Sequence, residues 1–208
     1  IPVEIGNLTQ LEHLSFNGNN LDGTIPYQIS HLNKLQSLDL GFNYLVDSNW
    51  SLFLDMPYLT SLNLYNNKLA SEFPSFVFGS RNLTSLDLSM NKLTGPIPEM
   101  VFTHLANLEI LNLGNNLLVG PLPRNISKLP KLKELHLGIN NLSGSIPDSI
   151  GHLRELETLD LIENQLNSRI PPELGSCTKL TFLHLDANFL TGPLPLSISN
   201  LTQIYELG

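Results

Sequence analysis

At 208 residues and 41% apolar side chains the chain can bury a sizeable core, yet its 14% charged residues fall well below the roughly 25% of ordinary soluble domains. A net charge of −8 with no basic cluster argues against a nucleic-acid or anionic-membrane partner. No apolar run approaches the roughly 18 residues of a membrane span, and the lone Cys177 excludes an internal disulfide.

Residues 1–10 lack the basic start and apolar stretch of a secretion signal, and they read as the second half of a repeating unit. From Leu11 onward one pattern recurs. Leu11, Leu35, Leu59, Leu83, Leu108, Leu132, Leu156 and Leu180 open units spaced 24 residues apart, except for 25 between Leu83 and Leu108. Each unit reads L-x-x-L-x-L-x-x-N-x-L, so eight full units fill residues 11–203 and a partial ninth fills 204–208. The expectation is one repeat array, uncapped at both ends and cut from a longer one.

Within a unit such as Leu135-His136-Leu137, the alternation sends both leucines to one face of a short strand and the histidine to the other. Stacked units bury the leucines in one continuous core and pair each strand with its neighbours in a parallel sheet. Asn19, Asn43, Asn67, Asn91, Asn116, Asn140, Asn164 and Asn188 recur at one position of every unit. That regularity suits a buried ladder whose amides satisfy backbone groups at the turn after the strand. Cys177 falls in an apolar slot shared with Leu153 and Leu201 and reads as core filler.

The segment Ser143-Gly144-Ser145-Ile146-Pro147 returns as "DGTIP", "TGPIP", "VGPLP" and "TGPLP". Asp47, Ser71 and Ser168 replace its glycine in three units, and Asn49-Trp50 replaces the I-P pair in the second. With this segment the chain resembles the plant-specific class of leucine-rich repeats, and a stretch of a plant receptor-like kinase ectodomain in particular. The resemblance implies an α/β repeat solenoid with a parallel concave sheet of about nine short strands and short 3-10 or helical segments on the convex side. It also implies a second short sheet along the side, with the second unit as its doubtful member.

Asn7, Asn49, Asn82, Asn125, Asn141 and Asn200 each begin N-x-S/T, twice the roughly three expected by chance, and none falls in a concave strand segment. Glycans there would leave the concave face bare and would place the chain outside the cell. The solvent-facing column of the concave strands runs Ser15, Asp39, Asn63, Asp87, Asn112, His136, Asp160, His184. Flanking positions add Glu134, Asp186 and further acids, so that ten of the 19 acidic residues lie on this face, with Lys133 its one Lys or Arg. Tyr65, Ile162 and Phe182 are apolar or aromatic neighbours in the same register, as are Phe42, Met90 and Ile139. Acids beside apolar residues look like an interface for a basic ligand. The binding candidates are therefore Asp39, Tyr65, Asp87, Glu134, His136, Asp160, Ile162, Phe182, His184 and Asp186, with histidines placed between acids to give a pH response. Lys133, Glu134, His136, Gly138 and Ile139 read as residues free of structural duty in their unit.

An open sheet gives no closed ligand set for a metal and no cleft for catalysis, so no cofactor, metal site or enzymatic activity is expected. The resemblance implies recognition of a peptide or protein, with a co-receptor ectodomain as a second partner. Some relatives clamp a peptide carboxylate with paired arginines, but Arg81, Arg124, Arg154 and Arg169 all fall outside the strands. A soluble inhibitor of a secreted cell-wall hydrolase, of the polygalacturonase-inhibitor type, is the alternative.

Overall fold

The computed structural model describes every residue, 1–208. The repeated leucine alternation builds nine three- or two-residue strands in strict chain order: His13–Ser15, Ser37–Asp39, Ser61–Asn63, Ser85–Asp87, Ile110–Asn112, Glu134–His136, Thr158–Asp160, Phe182–His184 and Glu206–Leu207. All pair in parallel, and the register places leucine beside leucine from Leu14 and Leu38 through Leu135 and Leu159 to Leu183 and Leu207. We number the full coils 1 to 8 from Leu11.

The chain returns along the convex side through short 3-10 helices such as Tyr27–His31, Asp148–His152 and Pro172–Ser176. A proline precedes each of these three, at Pro26, Pro147 and Pro171, where its fixed φ and missing N–H suit a helix entry. Coil 4, the unit with the extra residue, forms an α-helix instead, Glu99–His104. Between strands and helices lies one cluster of 50 buried apolar residues, in which Cys177 is fully buried as the slot assignment requires. Burial pushes its thiol up to about 11, out of reach of thiolate chemistry near neutrality.

The asparagine ladder forms, and its geometry is directional. Asn140 Nδ2 donates to Leu137 and Gly138 carbonyls in its own coil and to the Leu113 carbonyl of the preceding one, at 3.1, 3.3 and 3.0 Å. Its Oδ1 accepts the Leu118 N–H, again in the preceding coil, at 3.0 Å. One amide thus gives the Leu118 N–H its partner and adds a second donor to three carbonyls that Asn116, Asn164 and the Asn115 N–H also reach. Asn43, Asn67, Asn91, Asn116 and Asn164 are buried likewise. Asn19 is the exception: it is exposed and bonds only the Phe16 and Asn17 carbonyls of its own coil. Asn188 keeps the full pattern but is only half-buried.

The side sheet is present in two pieces. Asp22–Thr24 pairs with Tyr44–Val46, and Val119–Pro121, Asn141–Gly144, Gln165–Ser168 and Phe189–Leu190 form a second run. The second unit, expected to be the doubtful member, keeps its strand. Coils 3 and 4 contribute no strand to the side sheet; single backbone bonds, from the Lys68, Lys92 and Thr94 N–H groups to the Leu45, Leu69 and Ser71 carbonyls, and the pairing of Pro96 with Val119 span the gap. The reason lies in side chains. The Asp47 carboxylate takes the N–H groups of Ala70 and Ser71 and the Ser71 hydroxyl, so beyond the single Lys68–Leu45 backbone bond a side chain holds the next coil where a strand pairs elsewhere. Trp50, in the slot of the missing proline, is buried and packs on Phe53 and Phe76, with ring centroids 5.2 and 5.6 Å apart. In the regular coils the glycine adopts a left-handed conformation, φ 84° at Gly120 and 77° at Gly144, and Ser168 is held at φ 70° in the same slot. A non-glycine residue there costs about 1–2 kcal/mol.

Candidate functional site: the concave face

The concave column has a structural duty that its exposure conceals. Asp39 Oδ1 accepts the Gly41 N–H at 3.1 Å, Asn63 Oδ1 the Tyr65 N–H at 2.9 Å, and Asp87 Oδ1 the Ser89 N–H at 2.9 Å. Asn112 does the same to Gly114 and Asp160 to Ile162, each at 3.1 Å. Each side chain closes an Asx turn two residues on, where the strand ends. Asp and Asn serve equally for that bond, so the negative charge of Asp39, Asp87 and Asp160 is surplus to folding.

Gly138 is not free, contrary to the expectation for its unit. A Cβ there would lie 2.7 Å from Asp160 Oδ1 and from Ile162 Cγ2, which fold back over the glycine from the next coil. Gly41 makes room for Tyr65 in the same way, with Tyr65 Cδ1 2.6 Å from such a Cβ. Tyr65 and Ile162 are therefore half-buried shelves on a neighbouring coil rather than projecting arms.

The candidate residues separate into two groups. Asp39, Tyr65 and Asp87 occupy coils 2–4, beside the small Ser37, Ser61 and Ser85. Glu134, His136, Asp160, Ile162, Phe182, His184 and Asp186 fall together in coils 6–8. Five coil steps of about 4.8 Å put Asp39 about 24 Å from Asp160, too far for one side chain to touch both.

In the second group the charges are coupled. His136 Nε2 lies 3.3 Å from Glu134 Oε2 and Nδ1 lies 3.8 Å from Asp160 Oδ2. Asp160, then Glu134, raise the His136 pKa above its usual 6.5 against the opposing effect of burial. Burial pushes the Asp160 carboxyl upward, but His136 and the Ile162 N–H outweigh it and hold the group below its ordinary range. His184 Nε2 sits 3.3 Å from Glu206 Oε1 but is oriented so that it forms no hydrogen bond, leaving an ion pair only when the ring is protonated. Lys133, the lone cation, is committed to Glu109 at 2.7 Å, which lowers the Glu109 pKa and raises that of Lys133. Apolar surface adjoins: Phe182 meets Tyr205 edge-on at 5.8 Å between ring centroids. The sequence reading passed over Tyr205, which is 83% exposed, although it stands in the column of Glu157 and Lys133.

Glycosylation signals stay clear of this face. Asn141 lies in a side-sheet strand and Asn49 caps the helix Trp50–Leu52. Asn7, Asn125 and Asn200 end or line convex helices, while Asn82 bonds the Pro57 carbonyl at the turn before a strand. No helix is long and apolar enough to cross a membrane.

Comparison with solved structures gives the same architecture. A TDR receptor is 32% identical with a TM-score of 0.93 over 98% of this chain and 35% of its own. The Arabidopsis receptor kinase HAESA, solved with the peptide hormone IDA and the co-receptor SERK1, is 34% identical with a TM-score of 0.93 over 100% of this chain and 35% of its own. The plant peptide hormone receptor RGFR1, solved with RGF2, is 33% identical with a TM-score of 0.88 over 98% and 36%. The chain thus spans about a third of the length of these receptor-kinase structures. No protein among the curated relatives matches it. Family models of the leucine-rich repeat match residues 10–32, 34–93, 57–118, 81–142 and 130–190, and with the coil geometry above they place the chain in the leucine-rich-repeat family.

Proposed function

We propose that the chain is the ligand-recognition module of an extracellular plant receptor and that coils 6–8 of its concave face receive a basic peptide or protein segment. The reading rests on one observation. Glu134, Asp160, Asp186 and, from the start of the ninth unit, Glu206 lie on the same four adjacent coils as Ile162 and Phe182, while the one cation of the face is tied to Glu109. Like-signed charge draws in and orients a basic ligand, and the apolar neighbours give it something to bury against. The solved complexes of HAESA with IDA and of RGFR1 with RGF2 support a peptide as the ligand class, and SERK1 in the former supports a second ectodomain as partner. Six N-x-S/T signals placed off the concave face support a location on the apoplast side.

Panning a random peptide library on the purified chain near neutral pH is expected to enrich lysine and arginine. The triple variant Glu134→Gln, Asp160→Asn, Asp186→Asn keeps the Asx acceptor and should abolish that enrichment. Selected peptides without basic excess, or with equal affinity for the variant, would sink the proposal. Secretion from plant cells with an endoglycosidase-sensitive mobility shift tests the location.

A further inference from the structure

The residue before each ladder asparagine is left-handed in every coil: Phe42, Asn66, Met90, Asn115, Ile139 and Glu163 have φ between 50° and 57°. Asparagine and glycine suit that conformation, while bulky and β-branched residues resist it. Phe42, Met90 and Ile139 nonetheless stand there, and each is exposed, at 53%, 45% and 45%. They come from coils 2, 4 and 6. The intervening Asn66 and Asn115 use only backbone groups in hydrogen bonds, so their side-chain amides are uncommitted. From coil 2 to coil 6 the rim thus alternates apolar side chain and free amide, and Glu163 ends the series in coil 7.

Charge distinguishes this rim from the concave face. Lys68 and Lys92 flank it in adjacent coils and take part in none of the ion pairs. With Phe42, Tyr44 and Asn66 they line a depression of ≈ 360 Å³ that contains no acidic residue.

We propose that this rim docks an acidic, proline-rich peptide segment in the polyproline II conformation. Two coil steps span about 9.6 Å. One turn of polyproline II, three residues, rises about 9.3 Å, so every third ligand residue meets an apolar rim residue. An extended β-strand repeats each face at about 6.7 Å and falls out of step. Polyproline II also leaves its carbonyls without internal partners, and these face the free amides of Asn66 and Asn115. Acidic ligand side chains meet Lys68 and Lys92. The surface meets the acidic site only at Ile139 in coil 6, while its two cations lie in coils 3 and 4.

The probe is a fluorescein-labelled peptide of about twelve residues repeating Leu-Pro-Glu, followed by anisotropy with the whole chain. The chain should bind it, and bind the flexible Leu-Gly-Glu and the charge-reversed Leu-Pro-Lys versions more weakly. The variant Phe42→Asn, Met90→Asn, Ile139→Asn should lose about tenfold in affinity. Because asparagine suits the left-handed turn, the same variant should melt no lower than the parent, which separates lost contact from lost fold. No binding at millimolar peptide, or equal affinity across the three peptides, overturns the proposal. So does affinity lost in Glu134→Gln, Asp160→Asn but retained in the rim variant.

Discussion

Coils 2 and 3 carry Asp47, Trp50 and Ser71 where coils 5 and 6 carry Gly120, Gly144 and a Leu-Pro or Ile-Pro pair. The regular coils hold one another along the side by backbone pairing through a left-handed glycine. Between coils 2 and 3 only one backbone bond remains along that side, and a carboxylate and an aromatic cluster complete the same task. Lateral cohesion of the solenoid is thus required, while the chemical means is open. The concave faces diverge in parallel: small serines in coils 2–4, and coupled acids, histidines and aromatics in coils 6–8.

The sharpest way to break the comparison is Trp50→Ala. It removes the centre of the aromatic cluster and should cost about 3–5 kcal/mol in urea unfolding. The same truncation at Ile146, in a regular coil, should cost about 2–5 kcal/mol and leave the backbone pairing intact. Next, Asn140→Ala strands the buried Leu118 N–H and removes one of two donors from three carbonyls, and should cost about 2–3 kcal/mol, whereas the exposed Asn19→Ala should stay within about 0.5 kcal/mol. Asp47→Ala should cost about 2 kcal/mol by releasing the N–H groups of coil 3.

The pH dependence is smaller and confined to coils 6–8. The folded-state pKa of His136 is raised, so its contribution is complete below about pH 6.5 and is lost as pH rises through the raised value. The Asp160 pKa is lowered, so its contribution holds above the ordinary carboxylate range and is lost as acid pushes through the lowered value. Thermal melts across pH 5.5–8.5 should show a decline of about 1 kcal/mol or less that disappears in His136→Gln. Flat wild-type melts would remove the coupling. Least of all, Ser168→Gly should stabilise by about 0.5–1 kcal/mol, and the same change at Ser71, where φ is not positive, should not.

Much of the fold was legible because it is written in single-residue columns. Leucine alternation and the recurring asparagine each sit at fixed positions within one unit, and both formed as read except at Asn19, which stays exposed. What escaped depends on pairs of coils. Gly138 looked free because the side chains that need its emptiness, Asp160 and Ile162, belong to the next unit. The second unit kept its side strand because pairing with Asp22–Thr24 uses backbone groups that no residue pattern reveals. The Asx turns could have been found, since Asp39, Asn63, Asp87, Asn112 and Asp160 interchange the two residues that share an acceptor oxygen. Of the site, the column was readable; the grouping of charge and aromatic surface in coils 6–8 was readable only in part, because Tyr205 hides among polar neighbours.

The one-way asparagine ladder bears on how such a chain is made. From Asn43 onward each amide reaches back about 27 residues to a carbonyl and about 22 to an N–H, never forward. A ribosome delivers coils in that same order, so each new coil emerges with its template already complete. Growth therefore resembles a zipper closing behind the exit tunnel, and a stalled chain leaves a finished stack with one raw face rather than a tangle of half-made turns.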